Sequence, residues 1–411
     1  ANQSSGSSSG KADKPVSSGG TGKVAGTENG GPELSIAYHE HTKRLVDAAI
    51  RKYLLENPSV SIKREMVSYN EEYSETKKEL DSLTARMLAG EGPDIIIELS
   101  YFRVAKNYKT LNSGIYCDLN ELIKNDAEFN LDDYYQSVLD TGVVNGKRYV
   151  MPLDFEVCGF TTTKETLEEN RVEINGPSWD WDHFIQMTGD FAERNKGKDK
   201  YFLAPMFDYY VLQYYTASRV DYTENKPDFN SEEFKTILQD LKTISSAIYP
   251  IEKDNGWSYS PFTYIKDRKV VLSFDGRDIS DMLQLSGVYD DFKKNSNQEL
   301  IVLPFPLIGG SSGYPFDVPV TAGITSTCKY KKEAFDLIKT MLSPEISGNL
   351  FYNLSGLPVS TAGYEKIKSE PFPAQYGGGY PHPEAALLEI DKMVKNLGKG
   401  VFYDEQINSI V

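Results

Sequence analysis

The stretch Gly92-Pro93-Asp94-Ile95-Ile96-Ile97 constrains the fold of this chain more than any other. Gly92-Pro93 stops whatever precedes it, because proline fixes its own φ and pushes its neighbour out of the helical region. Three consecutive isoleucines then read as a strand buried on both faces, as in a parallel sheet covered by helices. In such sheets the carboxyl ends of the strands form the ligand crevice. Ser100 and Tyr101, just beyond this strand, are therefore the first candidate contacts.

The neighbouring segments supply the rest of an α/β unit. Residues 34–38 read as a short strand, and Thr42 is placed to cap the helix that follows. Val46, Ile50 and Tyr53 or Leu54 give that helix one apolar face, and Asn57-Pro58 ends it. Residues 60–66 alternate apolar and polar side chains, the period of a strand. Tyr73, Leu80, Leu83 and Met87 mark a second amphipathic helix, closed by Gly90. Strand, helix, strand, helix, strand predicts parallel pairing with right-handed crossovers.

Further along, Asn145-Gly146 sits between two β-prone arms, a hairpin signal because both residues tolerate positive φ. The second arm runs into residues 151–157, where the period changes, and a crossing between lobes is expected there. Asp180 stands at the start of one helical pattern as a candidate cap, and residues 229–234 resemble a capped start of another. Residues 269–274 form another buried strand, ending at Asp275-Gly276-Arg277, and residues 301–306 and 319–325 read as extended. A helix begins at Glu333, and another follows Pro383.

With 411 residues the chain exceeds one ordinary core, so two lobes are expected. A net charge of −16 argues against nucleic acid or an anionic membrane surface as partner. No apolar run approaches the roughly 18 residues of a membrane helix. Cys117, Cys158 and Cys328 lack paired spacing and read as buried small hydrophobes, neither a disulfide framework nor a zinc site. Residues 1–32 are almost wholly small and polar, the composition of a disordered tether with a reach of about 30 Å. They are expected to be either a mature, exported end or an artificial linker. The 27 tyrosines suit sugar recognition, since a ring offers a flat apolar face and a polar tip, but they equally suit packing.

Taken in order, the segments resemble those of extracellular solute-binding proteins of sugar-type ABC importers, the maltose-binding-protein superfamily. Gly90-Glu91-Gly92-Pro93-Asp94-Ile95-Ile96 is similar to its GxGPDII segment. Asn145-Gly146-Lys147 with Tyr149 and Pro152 is similar to its NGKxYxxP segment, and residues 179–184 to its TWDEF helix start. Phe234 with Leu238, Phe274-Asp275-Gly276, Ala334-Phe335 and Leu357-Pro358-Val359 continue the series. The resemblance implies a two-lobed α/β clamp of the periplasmic-binding-protein-like type II class, with three crossings between lobes. On this basis lobe one is expected at 33–150 plus 269–321, and lobe two at 151–268 plus 322–411. It also implies a lipid-anchored, cell-surface, extracellular bacterial protein, expected as a monomer, that hands a carbohydrate to a membrane permease without a cofactor. Two departures stand out. Glu98 occupies the place of a frequent tryptophan, and Ile346-Ser347 follows Ser343-Pro344-Glu345 where glutamine is common.

Candidate ligand contacts follow from both lines of reasoning. Glu156 falls where maltose-type relatives place an acidic contact, and Asp154, two residues away, points to the same face of the strand. Carboxylates accept strong hydrogen bonds from sugar hydroxyls, although a hinge ion pair is the competing reading. His39 and Glu40 follow the first strand, as Ser100 and Tyr101 follow the third; solvated loop residues are the alternative for all four. Asp275 and Arg277 flank a glycine that lets a ligand approach the backbone. Tyr209 and Trp257 are candidate aromatic platforms, or else ordinary packing. His39-Glu40-His41 lacks the spacing of a helical zinc motif, so no metal is expected. The competing functions are capture of a peptide, polyamine or other cationic solute on the same fold, and a secreted glycoside hydrolase using Asp94, Asp154 or Glu156. The final residues, 404–411, show no helix-ending signal, and the natural chain is expected to continue.

Overall fold

In the computed structural model the isoleucine strand is the middle member of a five-stranded sheet. The structure describes residues 30–68, 73–100, 103–104, 110–174, 179–221, 226–250, 261–275, 294, 296–308, 313–352, 356–370 and 384–401. β1 (Glu33–His39), α1 (Lys43–Glu56), β2 (Ser61–Val67), α2 (Tyr73–Leu88) and β3 (Ile95–Leu99) follow one another as the periodicity predicts. β1 pairs in parallel with both β2 and β3, with Ile36 opposite Ile95. The three isoleucines are at most 3% exposed. Ile95 and Ile97 pack in one core with Ile50 of α1, and Ile96 packs on the other face with Leu83 of α2. Asp94 fixes the entry, because the backbone N–H and hydroxyl of Ser35 both donate to its Oδ2, at 2.8 and 2.7 Å. Thr42 is not a side-chain cap; its hydroxyl donates back to the His39 carbonyl at 2.8 Å.

The hairpin forms where expected, with β4 (Val143–Val144) and β5 (Lys147–Arg148) joined by Asn145 and Gly146 at φ 53° and 74°. Positive φ at both positions suits the twist of a two-residue turn. β6 (Val150–Pro152) returns to the edge of the first sheet, and β7 (Asp154–Val157) leaves it.

β8 (Gly159–Thr163) opens a second sheet. Around it stand α3 (Trp181–Arg194), β9 (Tyr201–Leu203), α4 (Phe207–Ser218) and α5 (Glu232–Ile244), with a short ribbon of β10 (Val220–Asp221) and β11 (Lys226–Pro227) between the last two. Asp180 caps α3 as expected, accepting from the backbone N–H of His183 at 2.9 Å, and the cap of α5 is Ser231, accepting from that of Phe234 at 3.3 Å. β12 (Val270–Asp275) and β13 (Leu300–Pro304) complete the sheet in the order β13-β8-β12-β9. Its core is aromatic, built from Phe160, Phe184, Phe202, Phe207 and Phe274.

The chain then returns through β14 (Tyr314–Asp317) to β15 (Val320–Ile324), which lies antiparallel between β3 and β6. The first sheet, in the order β2-β1-β3-β15-β6, is therefore mixed and not wholly parallel. α6 (Lys331–Leu342) presents Ala334, Leu337, Ile338 and Met341 to the same core as Ile50 of α1. β16 (Leu357–Pro358), α7 (Thr361–Ser369), α8 (Glu384–Lys395) and β17 (Leu397–Val401) follow, and a third sheet runs β16-β7-β14-β17. α8 reaches back towards the second sheet, with Ile390 and Met393 in the same cluster as Val302.

The expected division of the chain needs correction at the level of sheet and core. Strands β12 and β13, expected with the first lobe as part of 269–321, hydrogen-bond to β8 in the second sheet. Most of the described part of 322–411, expected in the second lobe, packs in the first core instead. The physical reason is side-chain fit: Leu272 and Phe274 complete the aromatic core, while the apolar stripe of α6 matches α1. One passage between the cores, from β7 to β8, lies wholly within the described residues, and a second, from β13 to β14, is described at both ends. The tether at 1–32 lies outside the described residues apart from its last three positions.

Leu337→Ala should cost about 2–5 kcal/mol by urea unfolding, the usual range for a buried leucine. By hydrogen exchange the loss should loosen β1 and β3 and leave β8 and β12 as they were. Loosening confined to β8 and β12 would place α6 on the other core.

Candidate functional site

The two large sheets point their strand ends at the same place. In the first, Leu99 at the end of β3 lies opposite Val320, and Pro152 at the end of β6 lies opposite Thr321. In the second, Asp275 and Pro304, the last residues of β12 and β13, both lie opposite Gly159 at the start of β8. Between them run β7 and β14, antiparallel, with Phe316 opposite Val157 and Asp317 opposite Glu156. This pair links the two cores, and the strand ends on either side frame the candidate site.

Several of the residues expected to line it are buried. Asp154 is 3% exposed; its Oδ1 accepts the Val320 backbone N–H at 3.0 Å, and the Gly356 backbone N–H is a second donor. A Cβ on Gly356 would lie 2.9 Å from Cβ and Cγ of Asp154, so only glycine fits there. Glu156 is equally buried, on the same strand face as Asp154, as the two-residue spacing predicts. Across the pair, Asp317 accepts the N–H of Val318 at 2.7 Å. From the second core Tyr214, on α4, hydrogen-bonds Cys158 with Asp317 and Glu156 close by. Ser100 is buried, and its hydroxyl donates to the Pro319 carbonyl at 3.3 Å. These side chains build the β7–β14 junction and its borders.

His39 is buried as well. Its Nδ1 accepts the N–H of His41, and its ring lines a cavity of about 10 Å³ with Val67, Leu80 and Val104. Such a space holds about one water molecule, too small for a solute. Burial, with the neighbouring His41, lowers the imidazole pKa to about 4, so the ring is neutral at physiological pH. Glu40 and Tyr209 are half-buried, and Tyr209 meets Tyr210 edge-on at 5.6 Å. Tyr101, Trp257 and Arg277 lie outside the described residues, and Asp275 is described only as the backbone end of β12. Among the described residues no group of His, Cys, Asp or Glu is arranged to hold a metal, and no cysteine is disulfide-bonded.

Two residues at the site carry roles that local reading could not supply. Glu98, in the place of the frequent tryptophan, is 1% exposed; its Oε1 accepts from the Val104 N–H at 2.8 Å and the Tyr116 hydroxyl at 3.0 Å. Its Oε2 lies 3.8 Å from Nη1 of the buried Arg103, whose guanidinium also donates to the Thr321 hydroxyl and the Val318 carbonyl. Glu98 was legible as a departure from pattern, whereas nothing in the sequence around Arg103 marks it.

Burial pushes the Asp154 carboxyl up to about 8, opposed by the Val320 N–H and reinforced by Asp317. An unfolded aspartate titrates near 3.9, so between about pH 4 and about pH 8 the folded chain keeps a proton the unfolded chain has lost. The stabilisation is complete below about pH 4 and is lost as pH rises through about 8, with a slope of at most about 1.4 kcal/mol per pH unit. Urea unfolding of Asp154→Asn should show a flatter decline from pH 5 to 8 than the parent protein. Equal slopes would remove Asp154 as the buried acid.

Comparison with known proteins agrees with this architecture. Residues 20–347 match the bacterial extracellular solute-binding protein family. A search of curated proteins returned no match. Among solved structures, the sugar-binding protein MalE from Xanthomonas citri is similar, with a TM-score of 0.69, 12% identity, and coverage of 92% of this chain and 90% of that one. A periplasmic oligogalacturonide binding protein from Yersinia enterocolitica gives a TM-score of 0.66 at 17% identity, covering 92% and 91%. An ABC substrate-binding protein from Listeria monocytogenes in complex with cycloalternan gives 0.55 at 15% identity, covering 90% and 88%. These likenesses place the fold in the type II periplasmic-binding-protein class. Among the described residues no helix is long and apolar enough to cross a membrane. With its family match spanning most of its length, the chain belongs to the bacterial extracellular solute-binding proteins.

Proposed function

We propose that this protein captures an oligosaccharide between its two cores and delivers it to an ABC importer. The observation that carries this reading is the convergence of both sets of strand ends on the β7–β14 hinge, within a solute-binding family. Ligand contacts with both halves select the closed state of such a clamp. Oligosaccharides are favoured because similar folds are described with cycloalternan, oligogalacturonide and cyclic α-maltosyl-1,6-maltose. The protein works outside the cell, as a monomer, held to the surface by a lipid at the end of its Ser/Gly-rich tether.

Glu40 and Tyr209 are our contact residues among the described side chains, with Tyr101, Trp257, Asp275 and Arg277 completing the walls. Asp154 and Glu156 belong to the hinge floor, and Ser100 and His39 brace the wall from behind. The net charge of −16 favours a cationic solute as the second reading. Hydrolysis would need a pair of carboxyl groups at set separation facing the substrate, and Asp154 and Glu156 are both enclosed in the hinge.

A thermal-shift panel of maltooligosaccharides, oligogalacturonides, cycloalternan, short peptides and spermidine tests the assignment. At 100 times its dissociation constant, a ligand adds about 2.7 kcal/mol of stability by mass action. We expect a shift with at least one oligosaccharide and none with spermidine; the reverse pattern would overturn the carbohydrate reading. Turnover of a chromogenic glycoside, lost in Glu156→Gln, would establish an enzyme instead. For the oligosaccharide that binds, Tyr209→Ala should weaken affinity about 3- to 10-fold, from roughly 0.5–1.5 kcal/mol of ring contact, as read by calorimetry. Unchanged affinity would assign Tyr209 to packing.

A further inference from the structure

We propose that β2 docks antiparallel on β2 of a second copy of this chain, joining two first sheets into one. The pairing is independent of which solute is captured. β2 ends the first sheet, and among the described residues its outer side carries no strand. Of its seven residues only Ile62 and Val67 are shielded from solvent, and Met66 is 41% exposed. Beside it lies an open groove of about 410 Å³, bordered by Glu65 and Met66 and by Lys78, Glu79 and Arg86 of α2.

The backbone decides the register. Glu33 lies opposite Ser61, and the Ser61 N–H donates to the Pro32 carbonyl at 3.0 Å. Along the parallel ladder, Ser61, Lys63, Glu65 and Val67 therefore turn their amides and carbonyls towards β1. Ile62, Arg64 and Met66 turn theirs outwards. A two-fold contact uses the same patch on both copies. Only an axis at Arg64 sets all three outward residues against one another. Arg64 then meets Arg64 of the second copy, and Ile62 meets its Met66, each pair exchanging two backbone hydrogen bonds.

The side chains fit this register. Lys63 faces Glu65 of the second copy, and Glu65 faces its Lys63. These are the pairs without mutual hydrogen bonds, where Cα atoms approach to about 4.5 Å and side chains are closest. Both side chains are open, at 71% and 45% exposure. Within its own chain Lys63 pairs with Glu33 at 2.7 Å, and Glu65 pairs with Arg86. The contact extends these two pairs into one row of alternating sign, Glu33, Lys63, Glu65, Arg86, whose middle bond crosses between copies. On the other face Ile62 and Met66 make two apolar contacts. Arg64 is the one like-charge meeting, and Asp47 of each chain holds its own arginine at 2.9 Å. Charged residues ordinarily keep sheet edges apart. Here the register that the backbone allows sets opposite charges against each other, which stabilises a strand pair.

The net charge of −16 repels copies at a distance. At about 0.15 M salt that repulsion is screened beyond about 8 Å, whereas the row of charges works at shorter range. One seven-residue strand pair falls short of the roughly 1,200–2,000 Å² of a stable interface, so a dissociation constant on the order of 0.1 mM is expected. Dilute protein thus remains the capturing monomer, and pairing belongs to crowded copies, such as those tethered side by side on one surface.

Sedimentation equilibrium in about 0.15 M salt tests this on the parent chain, Lys63→Glu and Glu65→Lys. The parent's average mass should rise from that of one chain at about 2 µM to about 1.6 times that at about 200 µM. Each substitution sets like charges opposite each other at both Lys63–Glu65 contacts. Either variant alone should therefore stay near the mass of one chain, an affinity loss of at least about 10-fold. An equimolar mixture of the two restores opposite charges at both contacts, and should recover most of the parent's rise. That recovery also shows that both variants fold, as expected for exposed pairs of little weight in stability. A parent that keeps the mass of one chain throughout would overturn the proposal. So would a variant that associates by itself as the parent does, which would put the contact on another face. A mixture no heavier than its separate components would overturn it as well.

Discussion

The antiparallel pairing of β7 with β14 is the contact on which the rest of the structure depends. The chain enters the second core from β7 and comes back from it into β14, so the register of this ribbon fixes where each core begins. One face is apolar: Phe155, Val157 and Phe316 pack in the first core, and Phe155 meets Phe316 edge-on at 6.0 Å. The other face is acidic, with Asp154, Glu156 and Asp317 all nearly excluded from solvent. Like charges opposite one another on a strand pair repel. A carboxyl that keeps its proton to about pH 8 takes one charge off that face at neutral pH.

The packing around this ribbon leaves little freedom. Gly356 lies against Asp154 with no room for a side chain, and Gly323 of β15 lies as tightly against the Tyr116 ring, where a Cβ would come within 2.5 Å of Cε1. Tyr116 in turn donates to Glu98, the partner of Arg103. Burial, with Glu98 beside it, holds the Tyr116 hydroxyl protonated far above its ordinary range, so it stays a donor to that carboxylate. The end of β3, the junction at 318–321 and the hinge strand are consequently held together by polar bonds inside close-packed surroundings.

What was legible in the sequence was what neighbouring residues decide among themselves. The Gly-Pro stop and three isoleucines define β3; Asn145-Gly146 defines its hairpin; Asp180 and Ser231 cap their helices through backbone N–H groups three residues on. The partners of a buried strand are another matter. Val270 to Phe274 is apolar on both faces and would suit either sheet; only the aromatic core assembled from residues 160–305 decides its place. The same limit explains the site. Alternation put Asp154 and Glu156 on one face correctly, but whether that face meets solvent or a second lobe depends on Tyr214 and Asp317, far along the chain. Glu98 was read as a missing tryptophan because Tyr116 and Arg103 cannot be paired with it by spacing.

The buried acids also bear on what kind of solute the clamp suits. If ionised carboxylates lined the floor, the overall charge of −16 would extend into the cleft and attract cations. Asp154 instead sits in the hinge as an acid that keeps its proton near neutrality, with its oxygens turned to the backbone N–H groups of Val320 and Gly356. Asp154 therefore adds no field of its own that a polyamine would seek, and Glu156 and Asp317, which share its face, are nearly excluded from solvent. A hydroxyl-rich neutral solute makes no such demand, since it needs donors and acceptors in fixed positions and a flat apolar surface for its ring faces. In the proposed capture the half-buried Glu40 and Tyr209 would provide one of each.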